Sequence, residues 1–195
     1  MDAMTFLRND HESVLGMIES LERGRGDGAA EVRARSDLAT SLVIASSQHE
    51  AVEEQFFWPA VRRALVPDGD KLADQAIEQE DMAKGLLREI ERSEAGSREF
   101  ERALTAFITA IREHIEFEQS QVWPRFRDAA SRDTLEELGE KMASAKKMAP
   151  TRPHPDTPSR AGAQKSLGLV GAIVDKARDM LTGRRSHQPP QPPPT

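Results

Sequence analysis

Three histidines and three glutamates stand where apolar residues would continue an inward-facing helical stripe: His11, His49, Glu53, Glu80, His114 and Glu118. His49 and Glu53 are four residues apart, as are His114 and Glu118, and on a helix that spacing places both members of each pair on one face, about 5–6 Å apart. Imidazole nitrogen with carboxylate oxygen suits iron or manganese and does not exclude zinc. An unpartnered carboxylate in an apolar interior costs several kcal/mol, and three of them are incompatible with a total stability of about 5–15 kcal/mol. No lysine or arginine is expected among the inward positions near these six, so bound cations are the simplest counter-charge.

The stripes that carry the six residues lie on four helices. Met4, Leu7, Val14, Ile18 and Leu21 recur at three- and four-residue steps, and His11 fills the empty step. Leu38, Leu42 and Ala45 lead to His49 and Glu53, after which Phe56 and Ala60 continue near the same face. Glu80 stands between Ala76 and Ala83 in a stripe that runs from Ala73 to Leu87 and Ile90. Phe100, Leu104, Phe107 and Ile111 run into His114 and Glu118. Asp10, Glu12, Glu54 and Asp81 flank these residues and are expected to face solvent.

An internal repeat relates the two halves. HEAVEEQFFWP at 49–59 and HIEFEQSQVWP at 114–124 share His, Glu four residues later, and Trp-Pro at nine and ten. The preceding helices align so that Glu80 stands where the first half has His11. Two helix pairs related by a pseudo-twofold generate a two-metal site on the axis. The assignment is His11 and His49 on one ion, His114 and Glu80 on the other, and Glu53 and Glu118 bridging. Trp58 and Trp123 are expected to plug the core, and Pro59 and Pro124 to kink their helices, since each lacks the N–H that would bond four residues back.

The rest of the chain supplies the scaffold. Charged residues make up 31% of the 195, helix formers dominate, and there is neither Tyr nor Cys. The missing cysteine rules out disulfides, thiolate catalysis, iron–sulfur clusters and cysteine-ligated zinc, and the missing tyrosine rules out a tyrosine ligand or radical. Breakers at 24–28, 67–70, 93–97 and 129–133 predict helices near 2–22, 31–65, 70–92 and 97–128, then a shorter fifth from 133 to 148. Short connections between them predict an all-α, antiparallel up-and-down four-helix bundle. The division is 1–148 for the bundle with its fifth helix, 149–164 for a Pro-rich linker, 165–183 for an amphipathic helix and 184–195 for a disordered Pro/Gln tail. The amphipathic helix is expected to dock on the bundle, dimerise or hold a protein partner. No apolar run reaches the roughly 20 residues of a spanning helix and no leader precedes the first helix, so the expectation is a cytoplasmic protein. The net charge of −6, with both signs intermixed, argues against nucleic acid as a partner.

A single histidine, His-x-x-x-Glu, a third-helix ligand and a second His-x-x-x-Glu resemble the hemerythrin-like family, the HHE cation-binding domains, over roughly residues 1–128. The fifth helix and the tail are similar to those of bacterial, actinobacterial-type members. The resemblance implies a four-helix bundle around two non-haem iron ions with bridging carboxylates. It also implies a small ligand, dioxygen, peroxide or nitric oxide, in redox or oxidative-stress response. The family's third helix usually supplies histidine, and Glu80 here adds a negative charge. In some members the residue after the second-helix histidine also ligates, which makes Glu50 a spare candidate.

Three classes of function are compatible with these residues. In a binding or sensing module, the metal pair takes up the small ligand. In a catalase-like or peroxide-reducing oxidoreductase, the two ions share the electrons; no separate catalytic acid or base is assigned. A metal-free structural bundle is the third class, and it would bury the six polar groups without compensation.

Overall fold

A computed structural model describes residues 1–24, 26, 28–153 and 179, and among these the regular structure is helical throughout. Five rods are built from α1 (Ala3–Arg23), α2 (Ala29–Val52) continued by α3 (Trp58–Ala64), α4 (Gly69–Arg92), α5 (Arg98–Phe117) continued by α6 (Trp123–Ala129), and α7 (Arg132–Lys146). Asp2, Ser97 and Ser131 start α1, α5 and α7 by accepting the backbone N–H three residues on. Gly96, at φ +85°, makes the turn into α5 that an L side chain would resist. The five predicted helices are all present. The domain boundaries after residue 153, including the amphipathic helix and the tail, lie outside the described residues apart from Asp179, which pairs with Arg152 at 2.9 Å.

Both long rods contain a π-helical turn where a kink was expected, Glu53–Phe57 and Glu118–Val122. Each ends at the residue before the Trp-Pro pair, with the Trp58 N–H bonded to the Glu53 carbonyl and the Trp123 N–H to that of Glu118. Proline has no N–H to bond four residues back, and the turn ahead of it widens by one residue. That extra residue rotates the remainder of the rod by about 100°. The stripe predicted to pass through Phe56 therefore passes through Phe57 and Val61, both 0% exposed, while Phe56 is half-buried. Val122 and Phe126 take the matching places in the second half.

The apolar interior forms two clusters. One gathers Leu7, Val52, Phe57, Trp58, Val61, Ala76, Val122 and Phe126, and the other Val14, Ile18, Leu42, Ala83, Leu87, Phe107 and Ile111. On α1, α2 and α4 the ligand candidate lies in sequence between the two clusters: His11 between Leu7 and Val14, His49 between Val43 and Val52, Glu80 between Ala76 and Ala83. A polar layer is thus sealed by hydrocarbon on both sides.

The fifth helix packs along α1 and reaches α2. A Cβ at Gly139 would stand 2.3 Å from the Met1 carbonyl oxygen, so only glycine permits α7 to approach the start of α1 this closely. At the far end Arg35 pairs with Glu101 at 2.8 Å and caps the end of α1 by donating to Gly24 O at 3.1 Å. Among the described residues, no helix is long and apolar enough to cross a membrane.

Candidate metal centre

All six sequence-derived residues converge in the sealed layer, each 2% exposed or less. Donor atoms of His11, His49, Glu53 and Glu118 lie within 4.8 Å of one another, and so do those of Glu53, Glu80 and His114. Glu53 belongs to both groups. Glu118 joins the first group and holds an oxygen 3.6 Å from His114 Nε2, between the two sets. Glu50 is buried beside them but belongs to neither group.

The histidines turn Nε2 inward and Nδ1 outward. His11 Nε2 faces His49 Nε2 at 3.2 Å, and Glu118 and Glu53 oxygens lie 3.1 Å from the two nitrogens respectively. Each Nδ1 meets a side chain that fixes its ring: Asp10 at 3.3 Å for His49, Gln79 Oε1 at 3.1 Å for His114, and the Gln119 amide at 3.2 Å for His11. Asp10 and Gln79 accept the Nδ1 hydrogens of His49 and His114, the arrangement seen around metal-bound histidines, in which the inward Nε2 can give its lone pair to a metal. At His11, by contrast, the Gln119 amide donates to Nδ1. Sequence reading placed Asp10 on the rim and overlooked Gln79 and Gln119. The available signal was that all three are immediate chain neighbours of candidate ligands.

Inside the layer, satisfaction is poor. Both oxygens of Glu53 and of Glu118, Glu80 Oε2 and His114 Nε2 have no hydrogen-bond partner among the described residues. Native proteins rarely leave such atoms unpaired, and buried carboxylate oxygens gathered this closely repel unless protons or cations sit between them. These atoms face the centre of the cluster, and their chemistry fits two bound metal ions.

Electrostatics agree. Burial pushes Glu53 up to about 8, with Glu118 adding to the effect. Burial and the charges of Glu54 and Glu53 push Glu80 well above the usual carboxylate range. Burial lowers His114 to about 4 and also lowers His11. At His49 burial is overridden by Glu53 and Asp10, which hold the imidazole well above its ordinary value. At Glu118 burial is likewise overridden, here by His114 and His11, and the carboxyl falls to about 2. Without a cation the layer holds protons, and metal binding would displace them.

Contrary to the expectation from sequence, a buried basic residue lies beside the layer. Lys84, buried and one turn after Glu80 on α4, bonds Glu54 and, at 2.9 Å, Asp81. Glu54 is buried rather than solvent-facing, whereas Glu12 and Asp81 are exposed as expected. Lys84 makes no hydrogen bond to any of the six and leaves their orphaned atoms unanswered.

The two tryptophans of the repeat meet different residues. The Trp58 indole N–H donates to Glu80 Oε1. Trp123 stacks on His11, with centroids 5.0 Å apart and planes 16° from parallel, and its N–H has no partner among the described residues.

Comparison with known proteins gives a consistent picture. Residues 2–126 match the family model of the hemerythrin HHE cation binding domain. An uncharacterized hemerythrin-like protein of Schizosaccharomyces pombe is 24% identical over 135 residues, which cover 69% of this chain and 66% of that protein. The chain thus spans just under two thirds of that curated relative. A crystal structure of a hemerythrin HHE cation binding domain-containing protein from Mycobacterium kansasii superimposes with a TM-score of 0.64 at 20% identity, covering 90% of this chain and 99% of that one. At that identity the likeness speaks for the fold alone.

Proposed function

This chain belongs to the hemerythrin HHE cation-binding domain family, and from that premise we propose that its sealed layer holds two non-haem iron ions and binds dioxygen, peroxide or nitric oxide in a redox response. His11 and His49 would serve one ion, His114 and Glu80 the other, with Glu53 and Glu118 shared between them. The observation that carries the reading is the convergence of six buried donor residues from four rods between two apolar clusters, four of them, Glu53, Glu80, His114 and Glu118, with atoms that have no hydrogen-bond partner among the described residues. The bound irons would supply electrons and a Lewis-acidic position for the small ligand. The chain's own residues do the rest. Asp10 and Gln79 hold their imidazoles by Nδ1, Phe57, Val122 and Leu7 keep bulk water out, and the carboxylates give up protons as cations enter.

The reading places the protein in the cytoplasm, with its reductant supplied by the cell. Catalase-like turnover is the second reading, favoured by Glu80, whose third carboxylate resembles oxygen-activating metal pairs more than a reversible carrier. Titrating the iron-loaded protein with hydrogen peroxide separates the two. A stoichiometric spectral change without turnover supports the binding module. Sustained oxygen evolution that is lost in His49→Ala transfers the conclusion to the enzyme.

A further inference from the structure

The repeat puts a tryptophan at the same offset from both histidines, yet only one of the two indoles has found an acceptor. Trp58 on α3 reaches α4 and meets Glu80; Trp123 on α6 reaches α1 and meets His11. Where the facing ligand candidate is an imidazole, the N–H is stranded and the ring stacks. Where it is a carboxylate, the N–H is bonded. Trp58 and Glu80 therefore form a matched pair, and the tryptophan's polar edge has a use only in the half of the molecule where histidine is replaced by glutamate.

The bond divides the carboxylate. Trp58 is 0% exposed and locked among Phe57, with centroids 4.8 Å apart, and the surrounding apolar cluster, so its N–H cannot swing away to water. Glu80 Oε1 accepts that N–H, while Oε2 has no partner among the described residues, and the carboxylate lies in the group formed with Glu53 and His114. Lys84, buried one turn further along α4, bonds Glu54 and Asp81. A carboxylate with one oxygen engaged offers a metal the other oxygen only. We propose that Trp58 is a positioning residue for the metal centre: by engaging one oxygen of Glu80 it limits that side chain to a single donor atom and so keeps a coordination position at the Glu80–His114 ion available to a small anionic or diatomic ligand. This rests on the two-ion reading above.

Azide, added to the iron-loaded full-length chain, is the probe, and its charge-transfer band gives the affinity. With metal content matched, Trp58→Phe frees Glu80 to use both oxygens, and azide binding weakens by about tenfold or more. In a Glu80→His background the same substitution has less than about a twofold effect, because the acceptor is gone. Equal azide affinity in wild type and Trp58→Phe, or an equal loss in both backgrounds, overturns the proposal and returns Trp58 to a packing role. A second measurement covers a variant that fails to fold. In the zinc-loaded wild-type chain the Trp58 indole N–H should remain shifted downfield and protected from exchange in a 1H–15N spectrum, and an N–H released on zinc loading overturns the proposal equally. A wild-type chain that takes up no metal instead defeats the two-ion reading, and this inference with it.

Discussion

The Asp10 carboxylate lies 3.3 Å from His49 Nδ1, and its other oxygen is 2.5 Å from Lys146 on the fifth helix. A helix beyond the matched family region thus touches a residue that orients a candidate ligand. Asp10→Ala should leave helicity intact and weaken metal affinity by about 10–100-fold, as loss of such an orienting partner typically does. Chelator competition measures this directly, and unchanged affinity would show that the contact does not hold the ring.

Removing metal should make stability fall as pH rises from about 6.5 to 8. Glu50, Glu53 and Glu80 have folded-state values raised above the unfolded one, Glu50 and Glu53 to about 8, so the folded chain keeps protons that the unfolded chain loses. Their contribution is complete below pH 4.5 and is lost as pH climbs to their folded values. His49, also raised, acts in the same direction above its unfolded value. His11 and His114, both lowered, oppose the trend only up to about pH 6.5, where their unfolded forms stop binding protons. Thermal melts of metal-free protein across this range test the sign. In the metal-loaded form cations replace the protons on Glu53 and Glu80, and the decline should shrink to the share carried by Glu50.

Lys84→Met should cost about 3–5 kcal/mol, because it withdraws the buried ammonium that bonds Glu54 and leaves carboxylates without their counter-charge. Urea unfolding gives the number. A loss under about 1 kcal/mol would mean that the pair contributes no more than a solvent-exposed one.

Gly139→Ala adds one methyl group where the Met1 carbonyl oxygen stands 2.3 Å from the new carbon, and the other near atoms are also backbone. Neither helix can yield by turning a side chain, so α7 must shift away from α1. The expected loss is about 1–3 kcal/mol in urea unfolding, against a normal gain for Gly→Ala within a helix. Neutral or increased stability would contradict the observed packing.

Glu80→His places at this position the residue type that His11 supplies in the other half of the repeat and removes a negative charge from the centre. The ferrous pair should gain relative to the ferric, and the midpoint potential should rise. An equal or lower potential in the variant would show that Glu80 does not favour the oxidised state.

The inward set was legible because each of the six residues interrupts a regular apolar stripe and because the repeat duplicates the interruption. Other features left no such trace. Lys84 sits one turn from Glu80, and a lysine with a long stem reads as solvent-facing even when its ammonium is drawn inward to Glu54. The π-helical turns were hidden because the stripe was extended at a constant angle of about 100° per residue, a rule that placed Phe56 inward and missed Phe57. Proline signalled a disturbance without saying that the chain would absorb it by adding a residue. Gln79 and Gln119 are neutral and lie one residue off the stripe, so nothing in periodicity marks them. The Trp58–Glu80 bond joins residues 22 apart on different helices and depends on how α3 and α4 pack.

Metal analysis of protein purified in air from iron-supplemented cells, with an absorption spectrum of the same sample, tests the central claim most directly. A two-ion centre should give about two irons per chain and ligand-to-iron charge-transfer bands in the near ultraviolet, both lost in His49→Ala. No bound transition metal, even after anaerobic loading with ferrous ion, would contradict it and leave the buried carboxylates to be neutralised by protons alone.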